Sequence, residues 1–324
     1  MIDLKILLSF DLPDQFIQQI HQVSQKIRIT MEKDETKILD EIKDAEVLFA
    51  GEFNQKIIQA AKQLKWIHSW GAGVDSFLKI PEIVNSPILV TTSSGVAAIP
   101  IAEHVMALIL ILNMELDQFI LAQNKGVWLE RPNNVWSYPF QELAGKTLGI
   151  IGLGAIGSEI ARRAKGFDMT IIATKKRILE KPRFIDELLP HTELKTLLRR
   201  SDIVVISTPL TPETKDLIGE AELKMMKPSA YLINIGRGKI INQDALIRAL
   251  KEQQIAGAGL DVFEVEPLQP DSELWKMENV ILTPHIAGDT VCYWERAIPI
   301  FCENLKRYLE QKPLINLIDK SAGY

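Results

Sequence analysis

Three polar side chains follow short apolar runs in the last third of the sequence, and their types suit acid–base chemistry. Arg237 lies between two glycines in "LINIGRGKIIN", Glu266 lies in "GLDVFEVEP", and His285 follows "ILTP". A guanidinium binds a carboxylate through a planar fork of donors and keeps its charge, whereas an imidazole exchanges a proton near neutral pH. A carboxylate bonded to the second imidazole nitrogen would fix the tautomer and favour the protonated ring.

Together these residue types predict hydride transfer at the carbonyl group of a 2-oxo acid. Arg237 would bind the substrate carboxylate and polarise the carbonyl group. A hydride added to the carbonyl carbon leaves negative charge on oxygen, and His285 would supply the proton with Glu266 behind it. Taken singly, the three residues have ordinary alternatives: a surface ion-pair partner, a helix-start acid and a satisfied strand-end histidine.

A glycine-rich turn upstream predicts where a dinucleotide binds. "KTLGIIGLGAIGSEIARRAKGF" places Gly152, Gly154 and Gly157 between an apolar strand and an amphipathic helix, the context in which GxGxxG is informative. The first glycine permits the tight turn, the second lets the backbone approach a pyrophosphate, and the third packs helix against strand. Free amides near Ala155 and Ile156 would face the phosphates at the positive end of the helix dipole. The alternative is a set of glycines that only pack a strand-to-helix turn.

The stretch "IIATKKR" predicts which dinucleotide is bound. About 20 residues after the first glycine, NAD enzymes present an acidic side chain to the ribose, and an arginine nearby suits the 2′-phosphate of NADP. Here the positions hold Thr174, Lys175, Lys176 and Arg177, none of them acidic. We therefore expect NADP(H) to be preferred, with NAD(H) possible. The alternative is a solvated basic turn after a strand.

These residues need strands to position them, and the chain supplies many. Short β-branched runs alternate with helical patterns throughout, which predicts an α/β fold with parallel sheets covered on both faces. There are enough strands for two doubly wound parallel-sheet domains. We expect a substrate-binding domain over residues 1–98 and 290–324, and a dinucleotide-binding domain over residues 99–289.

Three further segments are each open to two interpretations. Thr208 and Pro209 follow the strand pattern "DIVVIST" and either line the nucleotide cleft or form an ordinary strand exit. Glu103 and His104 near the start of an apolar helix are interpreted as buried or interface polar residues rather than a catalytic pair. The interval 119–144 shows little regular pattern; it is either an arm over a site or a neighbouring subunit, or an irregular surface excursion.

Composition limits the partners. The chain has 324 residues, 47% of them hydrophobic, and its formal net charge of -5 provides no global basic field for nucleic acid. Two cysteines without metal-ligand spacing predict neither a disulfide framework nor a zinc site, and they fit a cytoplasmic location. The N-terminal segment lacks the pattern of a signal peptide. The apolar segment Ala97–Met114 is interrupted by Pro100 and Glu103, so we expect a buried helix and not a membrane span.

Six stretches resemble the D-isomer-specific 2-hydroxyacid dehydrogenase family, and within it glyoxylate and hydroxypyruvate reductases. They are "GLGAIG", "TPLTPETKDLIG", "MKPSAYLINIGRG", "AGLDVFEVEPL", "NVILTPHIAG" and "LIDKSAGY". The resemblance covers essentially the whole chain. It implies a flavodoxin-like substrate domain and a Rossmann cofactor domain with the active site in a cleft between them, and homodimers formed largely through the cofactor domain. It assigns Arg237, Glu266 and His285 the roles given above, and Asp261 a contact to the nicotinamide end.

The resemblance also implies a substrate loop and an activity. "SWGAGVDSF" matches the family's glycine loop, where amides around Ala72, Gly73 and Val74 would bind the substrate carboxylate. The implied reaction is NADPH-dependent reduction of a small 2-oxo acid, such as glyoxylate or hydroxypyruvate, to a D-2-hydroxy acid. The alternative is a non-catalytic, dinucleotide-sensing interaction protein of the same fold, because related transcriptional corepressors keep much of the triad. A complete acid–base set favours the enzyme.

Overall fold

The computed structural model describes residues 4–51, 53–74, 76–129, 141–178 and 180–321. Contacts between Cα atoms divide the chain into two compact units, one formed by Met1–Val96 with Thr290–Tyr324 and the other by Ala97–Asp289. Substrate binding by the first unit stays a prediction.

The first unit is a five-stranded parallel sheet with helices on it. Its strands are β1 (Leu4–Leu8), β2 (Ile27–Met31), β3 (Val47–Ala50), β4 (Trp66–Ser69) and β5 (Leu89–Thr92). Its helices are α1 (Asp14–Val23), α2 (Glu35–Glu41), α3 (Gln55–Ala60), α4 (Pro81–Val84) and, from the end of the chain, α11 (Tyr293–Leu309). The strand order β2-β1-β3-β4-β5, with all pairs parallel, is the flavodoxin-like doubly wound order.

Both faces of this sheet are buried, as the continuous apolar runs predict. Successive residues of a strand point to opposite faces, so Leu7 and Leu48 belong to one apolar core while Ile6 and Phe49 belong to the other. Helix α11 packs beside α1 over the second core. The sheet is therefore a rigid layer from which the loops at its carboxyl edge project.

The second unit is a seven-stranded parallel sheet. Its strands are β6 (Thr147–Ile151), β7 (Thr170–Lys175), β8 (Glu187–Pro190), β9 (Ile203–Ile206), β10 (Tyr231–Asn234), β11 (Gly257–Leu260) and β12 (Val280–Leu282). Its helices are α5 (Ala98–Asn113), α6 (Leu116–Asn124), α7 (Ala155–Lys165), α8 (Leu194–Arg200), α9 (Glu220–Leu223) and α10 (Gln243–Lys251). The order β12-β11-β10-β9-β6-β7-β8 is that of a Rossmann sheet with one strand added. The prediction of two doubly wound parallel sheets is confirmed.

Two elements lie outside the patterns used for the sequence predictions. Strand β8 has no β-branched residue, is short, lies at the sheet edge and ends in Pro190, where a missing amide costs no ladder bond. Helix α6 occupies the start of the interval 119–144 that was expected to lack regular structure. Its adjacent apolar residues Ile120 and Leu121 are both more than half exposed, so they form no periodic buried stripe that the sequence could reveal. Residues 130–140 of that interval lie outside the described residues.

Helix α5 is the buried helix expected from the apolar segment. It packs against α7, β10 and β11, and its Val105, Leu108 and Ile109 belong to the core of the second unit. Among the described residues no single helix is long and apolar enough to cross a membrane, although α5 and α6, bent by 77°, pass that test together by length and composition only.

Candidate active site

The polar residues singled out in the second unit follow neighbouring strands. Strand order places His285, Asp261, Arg237, Thr208 and Gly152 after β12, β11, β10, β9 and β6 respectively. Because these strands are parallel, all five exits lie at the same edge of the sheet. Neighbouring strands are about 4.8 Å apart, so the row spans roughly 19 Å. The chain order reverses between β6 and β9, and doubly wound sheets bind ligands at such a switch point.

The glycine turn after β6 has three distinct backbone environments. Gly152 has φ +97, and a Cβ there would lie 2.9 Å from the backbone of Thr208. A Cβ on Gly157 would lie 2.6 Å from the carbonyl oxygen of Gly152, whereas one on Gly154 would meet no described atom within 4 Å. The first and third glycines are therefore required by the fold, and the second leaves the backbone open to a ligand. Pro209 follows Thr208, and its carbonyl oxygen accepts a hydrogen bond inside the same loop.

Helix α7 begins at this turn with no side-chain cap. Gly154 is its N-cap, so the amides of Ala155 and Ile156 in the first turn have no partner within the helix. Such a helix start fits a pyrophosphate. Thr174 is 3% exposed, and its hydroxyl oxygen accepts a hydrogen bond from the amide of Gly152 at 3.4 Å. Thr174 therefore holds the turn in place, and its contact to a cofactor stays a prediction.

One of the basic residues at the end of β7 pairs with an acidic residue that the sequence pattern does not single out. Lys175 ends β7 half-buried, and Lys176 and Arg177 are exposed. The ammonium group of Lys176 lies 2.6 Å from the Glu213 carboxylate, and this ion pair holds the pKa of Glu213 below its usual range. Glu213 follows β9, so the pair reaches over the end of β6 from both sides. A phosphate near this turn would compete with Glu213 for Lys176.

His285 and Glu266 form a hydrogen-bonded pair. The Nδ1 atom of His285 lies 2.7 Å from Oε2 of Glu266, while Oε1 of Glu266 accepts the amide of Phe263 at 2.9 Å. Because an ionised carboxylate only accepts hydrogen bonds, Nδ1 carries the proton in this contact. The Nε2 atom is then the nitrogen that exchanges a proton with a substrate. The His285 side chain is 49% exposed, so it is accessible for that exchange.

The turn that carries Arg237 is fixed from below by Asn234. This buried residue accepts the amide of Gly236 at 3.1 Å and donates to the carbonyl oxygen of Arg237 at 3.1 Å. A Cβ on Gly238 would lie 1.8 Å from the carbonyl carbon of Phe263, so the Arg237 turn packs directly on the turn that leads to Glu266. The structure thus brings the Arg237 and Glu266 turns together. Asn234 was not predicted, although a polar residue that ends the apolar run "AYLI" is a signal for such a role.

Asp261 holds the loop on which His285 lies. It is 2% exposed, and its Oδ1 accepts hydrogen bonds from the Thr283 hydroxyl at 2.6 Å and the Ile286 amide at 3.0 Å. Its Oδ2 accepts the amide of Ala287 at 3.0 Å. Asp261 therefore has a structural role that the sequence did not indicate, and its contact to nicotinamide stays a prediction.

In the first unit, the predicted substrate loop follows β4. Ala72 is exposed and Gly73 is partly exposed, whereas the Val74 side chain is buried in the core below. The Trp70 ring packs with the rings of Phe10 and Trp294 of that unit. Substrate binding by the amides of residues 72–74 stays a prediction.

Glu103 and His104 point to different partners. Glu103 pairs with Arg163 of α7 at 3.0 Å, and Nε2 of His104 lies 3.0 Å from the Thr283 hydroxyl oxygen. Their separate contacts fit the interpretation that they are not a catalytic pair. Within the described part of the chain, no cluster of three or more His, Cys, Asp and Glu side chains could hold a metal ion.

Comparison with known proteins points to one family. The sequence model of the D-isomer specific 2-hydroxyacid dehydrogenase NAD binding domain matches residues 106–287. A glyoxylate reductase of Thermofilum pendens is 38% identical over 292 residues, which cover 88% of this chain and 85% of that protein. The structure of a D-isomer specific 2-hydroxyacid dehydrogenase family protein from Aeromonas salmonicida is similar, with a TM-score of 0.87, 29% identity and coverage of 98% of this chain and 99% of that one. A family enzyme from Xanthobacter autotrophicus, solved with NADPH and MES, has a TM-score of 0.84 and 26% identity, and covers 99% and 100% of the two chains.

Proposed function

The chain belongs to the D-isomer specific 2-hydroxyacid dehydrogenase family, and from this premise we propose that it reduces small 2-oxo acids to D-2-hydroxy acids with NADPH. Glyoxylate and hydroxypyruvate are the first candidate substrates. The observation that carries the proposal is the His285–Glu266 pair, 2.7 Å apart, beside the turn of Arg237 at the edge of the cofactor-binding sheet.

The residues fit a bound dinucleotide and divide the chemistry among themselves. When bound, a reduced nicotinamide supplies a hydride to the substrate carbonyl carbon. The guanidinium of Arg237 binds the substrate carboxylate and polarises the carbonyl group. His285 donates the Nε2 proton to the developing alkoxide, and Glu266 stabilises the imidazolium and keeps the ring oriented through Nδ1. In the reverse direction neutral His285 accepts the hydroxyl proton.

The preference for NADPH is supported by the exposed basic turn after β7. Lys176 and Arg177 are exposed beyond the strand end, where a 2′-phosphate on the adenosine ribose would lie. Arginine binds phosphate through two parallel hydrogen bonds, and lysine adds a point charge. The ion pair of Lys176 with Glu213 shows that this turn already holds one anionic group.

A homodimer belongs to the same proposal. Helix α6 and the residues after it expose several large apolar side chains, with Ile120 at 51%, Leu121 at 54% and Trp128 at 90%. Exposed apolar patches of this kind mark protein interfaces. Light scattering at several concentrations tests the dimer, and a monomer throughout would contradict it. A cytoplasmic location stays a prediction from cysteine usage.

A screen of 2-oxo acids with NADPH and NADH, followed by absorbance at the nicotinamide band, tests the activity. We expect turnover of glyoxylate or hydroxypyruvate, with a D-configured product where the product is chiral. His285→Gln should lower turnover by roughly 10²- to 10⁴-fold while NADPH binding is kept. An active His285→Gln enzyme would remove His285 as the proton donor. Tight cofactor binding without turnover on any 2-oxo acid would instead support a dinucleotide sensor, which the similarity to glyoxylate reductases does not favour.

A further inference from the structure

His285 has a backbone conformation that its surroundings must maintain. Its φ is +56, in the left-handed region that non-glycine residues rarely adopt. Such conformations persist only where contacts on either side fix them. Here the amide of His285 donates to the carbonyl oxygen of Thr283 at 3.1 Å, and the next two amides, of Ile286 and Ala287, donate to the buried carboxylate of Asp261.

Two hydrogen bonds in series connect the Asp261 carboxylate to His104 on helix α5, which lies far away in the sequence. The Thr283 hydroxyl must donate its proton to Asp261 at 2.6 Å, because an ionised carboxylate has no proton to give. The lone pair of the same hydroxyl oxygen is then left to accept from Nε2 of His104 at 3.0 Å. The direction of each bond is therefore fixed: His104 donates to Thr283, and Thr283 donates to Asp261. The His104 side chain is 20% exposed and the Asp261 side chain 3%, so solvent has little room to replace these bonds.

Helix α5 gives this chain a firm base. It lies against β10, β11 and α7, and eight of its sixteen residues are buried. The far end of the loop also lies close to the start of α5, because a Cβ on Gly288 would lie 3.4 Å from Cβ of Ala97 and 3.9 Å from the side chain of Ile101. The loop that carries His285 is therefore bonded to α5 through Thr283 before it and lies beside the start of α5 at Gly288 after it.

We propose that His104 and Thr283 are positioning residues for proton transfer, which act through Asp261 to fix the loop of His285. The proposal rests on the proposed function in one respect, that His285 is the proton donor. Neither residue is hydrogen-bonded to the imidazole of His285. Their effect is to hold its backbone so that Nδ1 stays on Glu266 and Nε2 stays aimed at the substrate.

Two pairs of variants test this series of hydrogen bonds, and each pair contains a disruptive variant and a conservative control. Thr283→Val removes the hydroxyl at constant size, and Thr283→Ser keeps it. His104→Leu removes the donor, and His104→Gln keeps an amide donor at a reach similar to that of Nε2. Thr170 is exposed at the start of β7, so Thr170→Val controls for a threonine-to-valine substitution outside these hydrogen bonds.

We expect Thr283→Val and His104→Leu to lower kcat by about 10- to 100-fold, the range expected when a reacting group is displaced slightly. The KM for the 2-oxo acid should change little, because Arg237, which is proposed to bind the substrate carboxylate, is not part of this series of hydrogen bonds. Thr283→Ser and His104→Gln should recover most of the lost kcat. A purely structural defect would lower kcat in the conservative variants as much as in the disruptive ones. Alternatively, it would also raise KM and weaken NADPH binding.

Amide hydrogen exchange gives a readout that does not depend on activity. Protection of the amides of Ile286 and Ala287 should fall in Thr283→Val and His104→Leu and be kept in the two conservative variants. If the wild-type protein reduces no 2-oxo acid, the proposed function fails while exchange still tests the chain. Wild-type kcat and wild-type protection in Thr283→Val would overturn the proposal, as would equal defects in Thr283→Val and Thr283→Ser. If Thr283→Val does not fold, the His104 pair decides by the same criteria.

Discussion

Acid is expected to destabilise the first unit through one buried histidine, His68 on β4. Its ring is fully buried, with Nδ1 2.7 Å from the Thr91 hydroxyl and Nε2 3.2 Å from the Ser93 hydroxyl. Burial lowers the pKa of His68 from 6.5 to about 3, because the charged ring would lose its hydration and these hydroxyl partners carry no compensating charge. In the unfolded chain the same ring titrates near its ordinary value.

The sign and size of the effect follow from these two values. Between about pH 6.5 and about pH 3 the unfolded chain binds a proton that the folded protein does not, so the free energy of unfolding falls as the pH falls. The slope is about 1.4 kcal/mol per pH unit, and at pH 5 this group alone lowers the free energy of unfolding by about 2 kcal/mol relative to pH 8. Ordinary carboxylates remain mostly ionised above about pH 5, which makes this a useful window.

The measurement is the free energy of unfolding in urea for the wild-type protein and for His68→Gln. It is made at several pH values between about 8 and about 5. The variant should be less stable at neutral pH, since its packing is disturbed, but its stability should fall by about 2 kcal/mol less across the window. Nuclear magnetic resonance of the imidazole carbon-bound protons supplies a direct check. The resonance that is lost in His68→Gln should not shift over this range, and a titration near pH 6.5 or parallel stability curves would refute the reasoning.

Three further predictions concern particular contacts. Gly238→Ala should lower the melting temperature and the activity, because the added Cβ would collide with the backbone of Phe263. Gly154→Ala should leave the melting temperature unchanged, because its Cβ meets no described atom within 4 Å, and should raise the KM for NADPH. An unchanged KM in Gly154→Ala would contradict pyrophosphate binding at that turn. Glu213→Gln should raise the ratio of kcat/KM for NADPH over NADH by a few-fold, since it removes a carboxylate that competes with the 2′-phosphate for Lys176, and steady-state kinetics with both cofactors would show it. Asn304→Ala should cost about 1–3 kcal/mol in urea unfolding, because the fully buried Asn304 amide bonds both backbone groups of one residue in the C-terminal segment; a loss within error would contradict this.

The fold was largely predictable because its information is local. Buried parallel strands read as short β-branched runs, and a glycine turn between such a run and an amphipathic helix marks the start of a Rossmann unit. The exceptions are informative in the same terms. Strand β8 is short, partly exposed and lies at an edge, and α6 exposes its apolar residues, so neither leaves the periodic pattern on which the prediction relies.

The candidate site was predictable only in part, because the hydrogen bonds that hold its residues in place join positions far apart in the sequence. Arg237, Glu266 and His285 are chemically unusual at strand exits, and this made them visible in the sequence. Thr283 is an ordinary residue whose role comes from a contact with His104, 179 positions away. Such pairings depend on strand order and register, which a single sequence does not specify.

Strand order also separates the residue proposed to select the cofactor from the residue proposed to donate the proton. His285 follows β12 at one end of the sheet edge, whereas Lys176 follows β7, five strand intervals or about 24 Å away. The switch point after β6 and β9 lies between them, where Gly152 meets Thr208. A dinucleotide bound along this edge as proposed would have its reacting ring near the imidazole and its adenosine ribose near the lysine. We therefore expect substitutions at Lys176 to alter which dinucleotide binds without moving His285, because five strand intervals separate the two residues along the sheet edge.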